Sequence, residues 1–150
     1  MRVYTDTSVF GGPFDKEFES ASYEFFNQVR EGRFKLCISD IVRQELVDAP
    51  EDVKTFFNDM LEYCEILPIT LECLNLRDYY ISHKIVTTKS LDDALHVATA
   101  SVHLCDIIVS WNFKHIVHYD KIKLYNAINQ IYGHREIFIN SPSGVIYYEE

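Results

Sequence analysis

The sequence predicts an α/β fold, a mostly parallel sheet with helices on both faces. Two observations carry this. Short apolar runs of strand length alternate along the chain with segments whose apolar residues recur at helical spacing. All of the Gly residues, and every Pro but Pro68, fall between these segments rather than inside them. At 150 residues, with no repeat, low-complexity tract or linker, a single domain spanning 1–150 is expected.

The elements follow in order. Val3-Tyr4-Thr5 reads as a short buried strand, and Gly11-Gly12-Pro13 breaks the chain after it. Residues 14–30 place Phe18, Ala21, Phe25 and Val29 on one helical face, and Gly32 ends that helix. Phe34 to Ile38 reads as the second strand. Ser39 is a candidate N-cap for a helix over 40–48, with Asp40 favourable to its dipole. Pro50 separates this from a helix over 51–63. An extended segment over 65–69 and a helix over 70–83 come next. Ser90 is placed to cap a helix over 91–104. Asp106 to Ser110 reads as a buried strand, 121–131 as a helix stopped by Gly133, and 136–139 as a last strand before a turn at 141–144.

Composition narrows the function classes. The chain is 47% apolar and 14% aromatic, which suits a packed core rather than disorder. No apolar run reaches the roughly 20 residues of a membrane span. The N-terminus enters a strand without a signal-peptide pattern, so a cytoplasmic protein is expected. Cys37, Cys64, Cys73 and Cys105 form no CxxC pair and read as reduced thiols rather than a zinc site. A net charge of −9 argues against a nonspecific nucleic-acid coat. Residues 111–135 depart from this, holding Lys114, Lys121, Lys123 and Arg135 against Asp120 alone, with His115, His118 and His134 among them. This stretch is either a solvated basic surface or a phosphate-contacting edge.

Three acids stand where an acid is unexpected. Asp6 ends the first strand, Glu45 shares a helix face with Ile41 and Val42, and Asp93 opens an otherwise largely apolar helix. Burying a lone carboxylate is costly, so such acids usually have donors, a cationic partner or a metal. Each has a bland reading. Asp6 can cap the turn after its strand, Glu45 can pair with Arg2 or Arg43 at the core rim, and Ser90-x-x-Asp93 matches a capping box. His96, on the Asp93 face, reads as a satisfied core histidine, with metal ligand and general base as alternatives. Convergence of the three acids would make a site for a hard divalent cation at the carboxyl ends of the strands, where α/β sheets place their sites. Thr7 and Ser8 add hydroxyls suited to a hydrated metal or a phosphate.

Together these segments resemble the PIN domain, a family of small metal-dependent ribonucleases that includes the VapC-like toxins. The matching residues are Val3-Tyr4-Thr5-Asp6-Thr7-Ser8-Val9, Ser39-Asp40-Ile41-Val42-Arg43-Gln44-Glu45-Leu46, Asp93-Ala94-Leu95-His96-Val97-Ala98-Thr99-Ala100 and Ile107-Ile108-Val109-Ser110-Trp111-Asn112-Phe113. The resemblance implies a three-layer α/β/α domain and a magnesium- or manganese-dependent endoribonuclease, with Asp6, Glu45 and Asp93 as catalytic metal ligands. Thr7, Ser8, Ser110, Asn112 and Lys114 are expected on the substrate side, with Lys114, His115 and Lys121 able to hold flanking phosphates. Trp111, just after a strand, reads as a core or rim residue, with base stacking as the alternative. Single-stranded RNA, an antitoxin protein and a second copy of the chain are the implied partners. The dimer is expected on helices before residue 83, where Phe14, Phe18, Phe56, Phe57 and Tyr63 would either form an apolar patch or fill the core. One departure stands out: many members carry a further acid where this chain has Asn112. That motivates a rival class, an RNA-binding regulator without turnover. A third is a phosphatase acting on free phosphomonoesters.

Overall fold

In the computed structural model, which describes residues 1–150, β1 (Arg2–Thr5) is the middle strand of a five-stranded sheet. β2 (Lys35–Ser39) and β3 (Cys64–Leu67) lie on one side of it, and β4 (Ile107–Val109) and β5 (Phe138–Asn140) on the other. All four pairings are parallel, with Tyr4 opposite Cys37 on one flank and Ile108 on the other. A parallel central strand is covered on both faces, and the buried run Val3-Tyr4-Thr5 meets that requirement.

Alternation along the strands sorts side chains into two cores. Val3, Leu36, Ile38 and Val109 pack with α1 (Thr7–Gly11), α2 (Glu19–Arg30) and α4 (Glu51–Met60) through Phe10, Phe25, Phe26, Phe57 and Met60. Tyr4, Cys37 and Ile108 face the other way, onto α5 (Leu71–Ser82), α6 (Leu91–Val102) and α7 (Tyr119–Ile131). Between β2 and α4, α3 (Asp40–Glu45) buries Ile41 and Val42. The result is the expected α/β arrangement with a helical layer on each face.

Several local expectations are corrected. A short helix, α1, follows Asp6, and the helix foreseen from residue 14 begins only at Glu19, after a 3₁₀ turn at Gly12–Phe14. α3 stops at Glu45, α4 at Met60 and α6 at Val102. Ser39 and Ser90 occupy N-cap positions, yet neither side chain caps its helix. The hydroxyl of Ser39 is drawn to Tyr4 instead, at 2.8 Å, and a 3₁₀ turn capped by Thr87 leads into α6. A capping box at Ser90 and Asp93 therefore does not form. Gly133, at φ +83°, does end α7 as expected. All four cysteines are free thiols.

Of the five aromatics considered for a dimer patch, Phe57 is buried, Phe18, Phe56 and Tyr63 are half-buried, and Phe14 alone is exposed. They fill the core and its margin. No helix is long and apolar enough to cross a membrane.

Candidate active site

The site is built at the carboxyl ends of the central strands. Asp6 leaves β1 and Ser110 leaves β4 beside it. Asp6 is 4% exposed, and both its oxygens accept hydroxyl hydrogen bonds, from Ser8 at 2.6 Å and Ser110 at 2.8 Å. Ser8 in turn accepts the amide of Trp111, and Ser110 accepts the amide of Asn112, so the turn after β4 is stitched to the turn after β1. Burial pushes the Asp6 carboxyl up, against the pull of His96 and the two serines, with Glu45 adding a smaller push.

Glu45 comes from the last turn of α3. Its Oε1 accepts from the Thr7 hydroxyl at 3.0 Å and from Nε2 of His96 at 2.6 Å. Burial raises Glu45, but the hydrogen bond and charge of His96, with Thr7, hold it below the usual carboxylate value. The converse holds for His96. Burial lowers it, while the Glu45 hydrogen bond and the charges of Asp6, Glu45 and Asp93 keep it above its usual value. Nδ1 of His96 meets the Tyr4 hydroxyl at 2.6 Å, and that hydroxyl meets Ser39 at 2.8 Å. His96 is thus a fully partnered buried residue, and neither ring nitrogen is free to bind a metal.

Asp93, on the first turn of α6, lines a cleft of about 420 Å³ with Glu45, Thr88, Lys89, Ser90 and Asp92. Its carboxyl is raised by burial, opposed by His115, His96 and the Asn112 side chain, with Glu45 again a small push. Two of the three acids are therefore raised, but burial is the main cause and mutual repulsion a minor one. Asp6 lies behind this cleft rather than on its wall.

No group of three His, Cys, Asp or Glu side chains stands close enough together to form a ready-made metal cage. In kind, however, the donors fit a hard divalent cation: carboxylates of Asp6, Glu45 and Asp93, with the hydroxyls of Thr7, Ser8 and Ser110 bonded to the first two and no thiol among them. The raised carboxyls of buried Asp6 and half-buried Asp93 are the groups whose ionisation a nearby cation would favour.

The residues expected on the substrate side divide. Thr7, Ser8 and Ser110 bond the acids themselves. Asn112 lies beside Asp93, and its Oδ1 accepts the His115 amide at 3.0 Å, holding the loop after β4. Lys114 is exposed on that loop. Nδ1 of His115 is buried without a partner, a loose end at the Asp93 side of the site. The expectation of one basic edge over 111–135 is corrected. Lys121 donates to the carbonyl of Ile85, Lys123 sits over the Tyr119 ring at 4.6 Å, and Arg135 reaches the carbonyl of Leu104, past the far end of α6 from Asp93. Trp111 is likewise not free to take a base. It stacks on Phe18 at 4.2 Å and donates Nε1–H to Ser22. The relay through Tyr4 and Ser39 was not foreseen. A tyrosine inside a strand expected to be buried was the available signal, because its buried hydroxyl needs a partner.

No protein-family model matches the chain, and no curated protein does. Solved structures do. A chain of VapBC2 from Rickettsia felis bound to a promoter DNA fragment superposes with a TM-score of 0.61 at 15% identity, covering 94% of this chain and 98% of that one. A chain of FitAB bound to an IR36 DNA fragment gives 0.60 at 13% identity, with 98% and 99% covered. FitAcB from Neisseria gonorrhoeae gives 0.59 at 15%, with 95% and 99% covered. At such identities the likeness speaks for architecture, and over nearly its full length this chain shares the PIN-like α/β fold of these structures.

Proposed function

We propose that this chain is a metal-dependent endoribonuclease that hydrolyses RNA phosphodiesters, acting as the toxin of a toxin–antitoxin pair. The observation that supports it most is that the charge of His96, at the carboxyl edge of the sheet, acts on the carboxyls of Asp6, Glu45 and Asp93 alike. The three carboxylates would hold magnesium or manganese, which when bound supplies an activated water and stabilises charge on the phosphoryl oxygens. Ser8 and Ser110 orient Asp6, and Thr7 and His96 orient Glu45. Asn112 lies against Asp93, and Lys114, exposed on the loop after β4, would meet a flanking phosphate. The fold shared with VapBC2 and FitAB chains supports an antitoxin partner, and a homodimer in solution is part of the same reading.

The test is cleavage of single-stranded RNA by highly purified protein with manganese. Cleavage that disappears in Asp6→Asn supports the proposal, and a wild type that leaves RNA intact overturns it. A second reading, an RNA-binding regulator without turnover, is favoured by Asn112 standing where many PIN domains carry an acid. Tight RNA binding with no cleavage would select it, and turnover of phosphomonoesters instead of RNA would select a phosphatase. Sedimentation at micromolar concentration tests the dimer, which a concentration-independent monomer would remove.

A further inference from the structure

We propose that His96 is a positioning residue. Its Nε2–H, with the Thr7 hydroxyl, occupies Oε1 of Glu45 and leaves Oε2 as the one oxygen that this side chain offers the cleft. The inference deepens the metal-hydrolase reading, resting on it for what Oε2 then holds but not for the arrangement itself.

The geometry sets the direction of the bonds to Glu45, and the neutral form of the ring sets the rest of the relay. An ionised carboxylate only accepts hydrogen bonds. The 2.6 Å contact to Glu45 therefore requires a proton on Nε2, whether the imidazole is neutral or charged. Thr7 donates to the same oxygen at 3.0 Å, so both lone-pair positions of Oε1 are taken. In the neutral ring Nδ1 is the acceptor, and the Tyr4 hydroxyl is the donor that meets it at 2.6 Å. The Tyr4 oxygen then accepts from Ser39 at 2.8 Å. Tyr4 and Ser39 are fully buried on the adjacent strands β1 and β2. Glu45, at the frayed end of a six-residue helix and partly exposed, is thus tied to the middle of the sheet. Without that tie a glutamate side chain samples many rotamers, and a carboxylate presented through one fixed oxygen gives a more specific ligand geometry. With both nitrogens engaged and the ring 1% exposed, His96 acts through Glu45.

The first measurement is imidazole ¹⁵N NMR on the metal-free full chain. The expected spectrum has His96 protonated at Nε2, with an Nδ1 shift that changes in Tyr4→Phe. An unprotonated Nε2 overturns the proposal outright, even if the protein binds metal. The second is manganese affinity. His96→Leu should weaken it about tenfold, in line with the loss of a group that orients a ligand, and Thr7→Val should weaken it less. His96→Gln, which keeps an N–H donor, should recover part of the loss and serves if the leucine variant does not fold. Added to Glu45→Gln, the His96 substitution should cost nothing further, and a full additional loss there overturns the proposal. A wild type that binds no manganese removes the metal reading, while the NMR result still decides the positioning role.

Discussion

Nε2 of His96 and Oε1 of Glu45 lie 2.6 Å apart, joining a side chain 1% exposed to one 31% exposed. The pair carries charge from the rim of the site into its interior. The charge of His96 also pulls the Asp6 and Asp93 carboxyls down against the effect of burial. An acid-lined cleft is thereby made tolerable in the absence of a cation.

Stability should follow pH as this pairing dictates. His96 is raised above 6.5 in the fold, so its contribution is complete below that value and is lost as pH rises through the raised one. Glu45 is held below 4.5, so its contribution is present above that value and is lost as pH falls through the lowered one. Urea denaturation of wild type and His96→Gln from about pH 4 to 9 reads the difference. It should be largest between the two limits and shrink on the alkaline side, and a difference that stays flat above pH 6.5 contradicts the pairing.

Asp6 has the sign opposite to Glu45. Its carboxyl is raised above 3.8, so ionisation costs stability as pH rises through the folded value. Asp6→Asn should therefore stabilise the metal-free protein at neutral pH, on the order of 1 kcal/mol, because the amide keeps an acceptor and a donor for the serines without the buried charge. Thermal unfolding measures this. A clear loss of stability would mean that the Ser8 and Ser110 bonds to the carboxylate outweigh burial.

Metal should stabilise the fold by mass action, by about 2.7 kcal/mol at one hundred times its dissociation constant. Millimolar magnesium or manganese is expected to raise the melting temperature, and Asp93→Asn to remove much of that rise. Equal rises in both proteins would place the metal away from Asp93.

Asn112→Asp tests the position that lacks an acid. The added carboxylate beside Asp93 should tighten manganese binding and increase any cleavage, measured by titration and by RNA turnover. Weaker binding would assign Asn112 a positive role, for example through the loop it holds by accepting the His115 amide.

Gly12 tests the support beneath the site. A Cβ there would collide with the Ser22 hydroxyl and crowd Nε1 of Trp111, the two partners of one hydrogen bond. Gly12→Ala should cost about 2 kcal/mol, as overpacking does, and loosen the Trp111 turn that Ser8 holds. Unchanged denaturation would show that Ser22 rotates away freely.

The sequence by itself determined the alternation of strands and helices, the buried character of β1 and β4, the stop at Gly133 and the placement of Asp6 at the end of the first strand. These follow from local rules of periodicity, turn chemistry and chain order, which need no knowledge of distant neighbours. The tertiary structure decided which partner each polar group takes. Ser39 had a good local role as a helix cap and gave it up for the buried Tyr4 hydroxyl, which has a greater need of a partner. Trp111 left solvent for Phe18 and Ser22, and the basic residues of 111–135 scattered because α7 carries Arg135 away from Lys114 along its length. Which oxygen of Glu45 remains free depends on Thr7 and His96, 38 and 51 residues away in the chain. Competition among non-local hydrogen-bond partners settles such choices, and only packing brings those partners together.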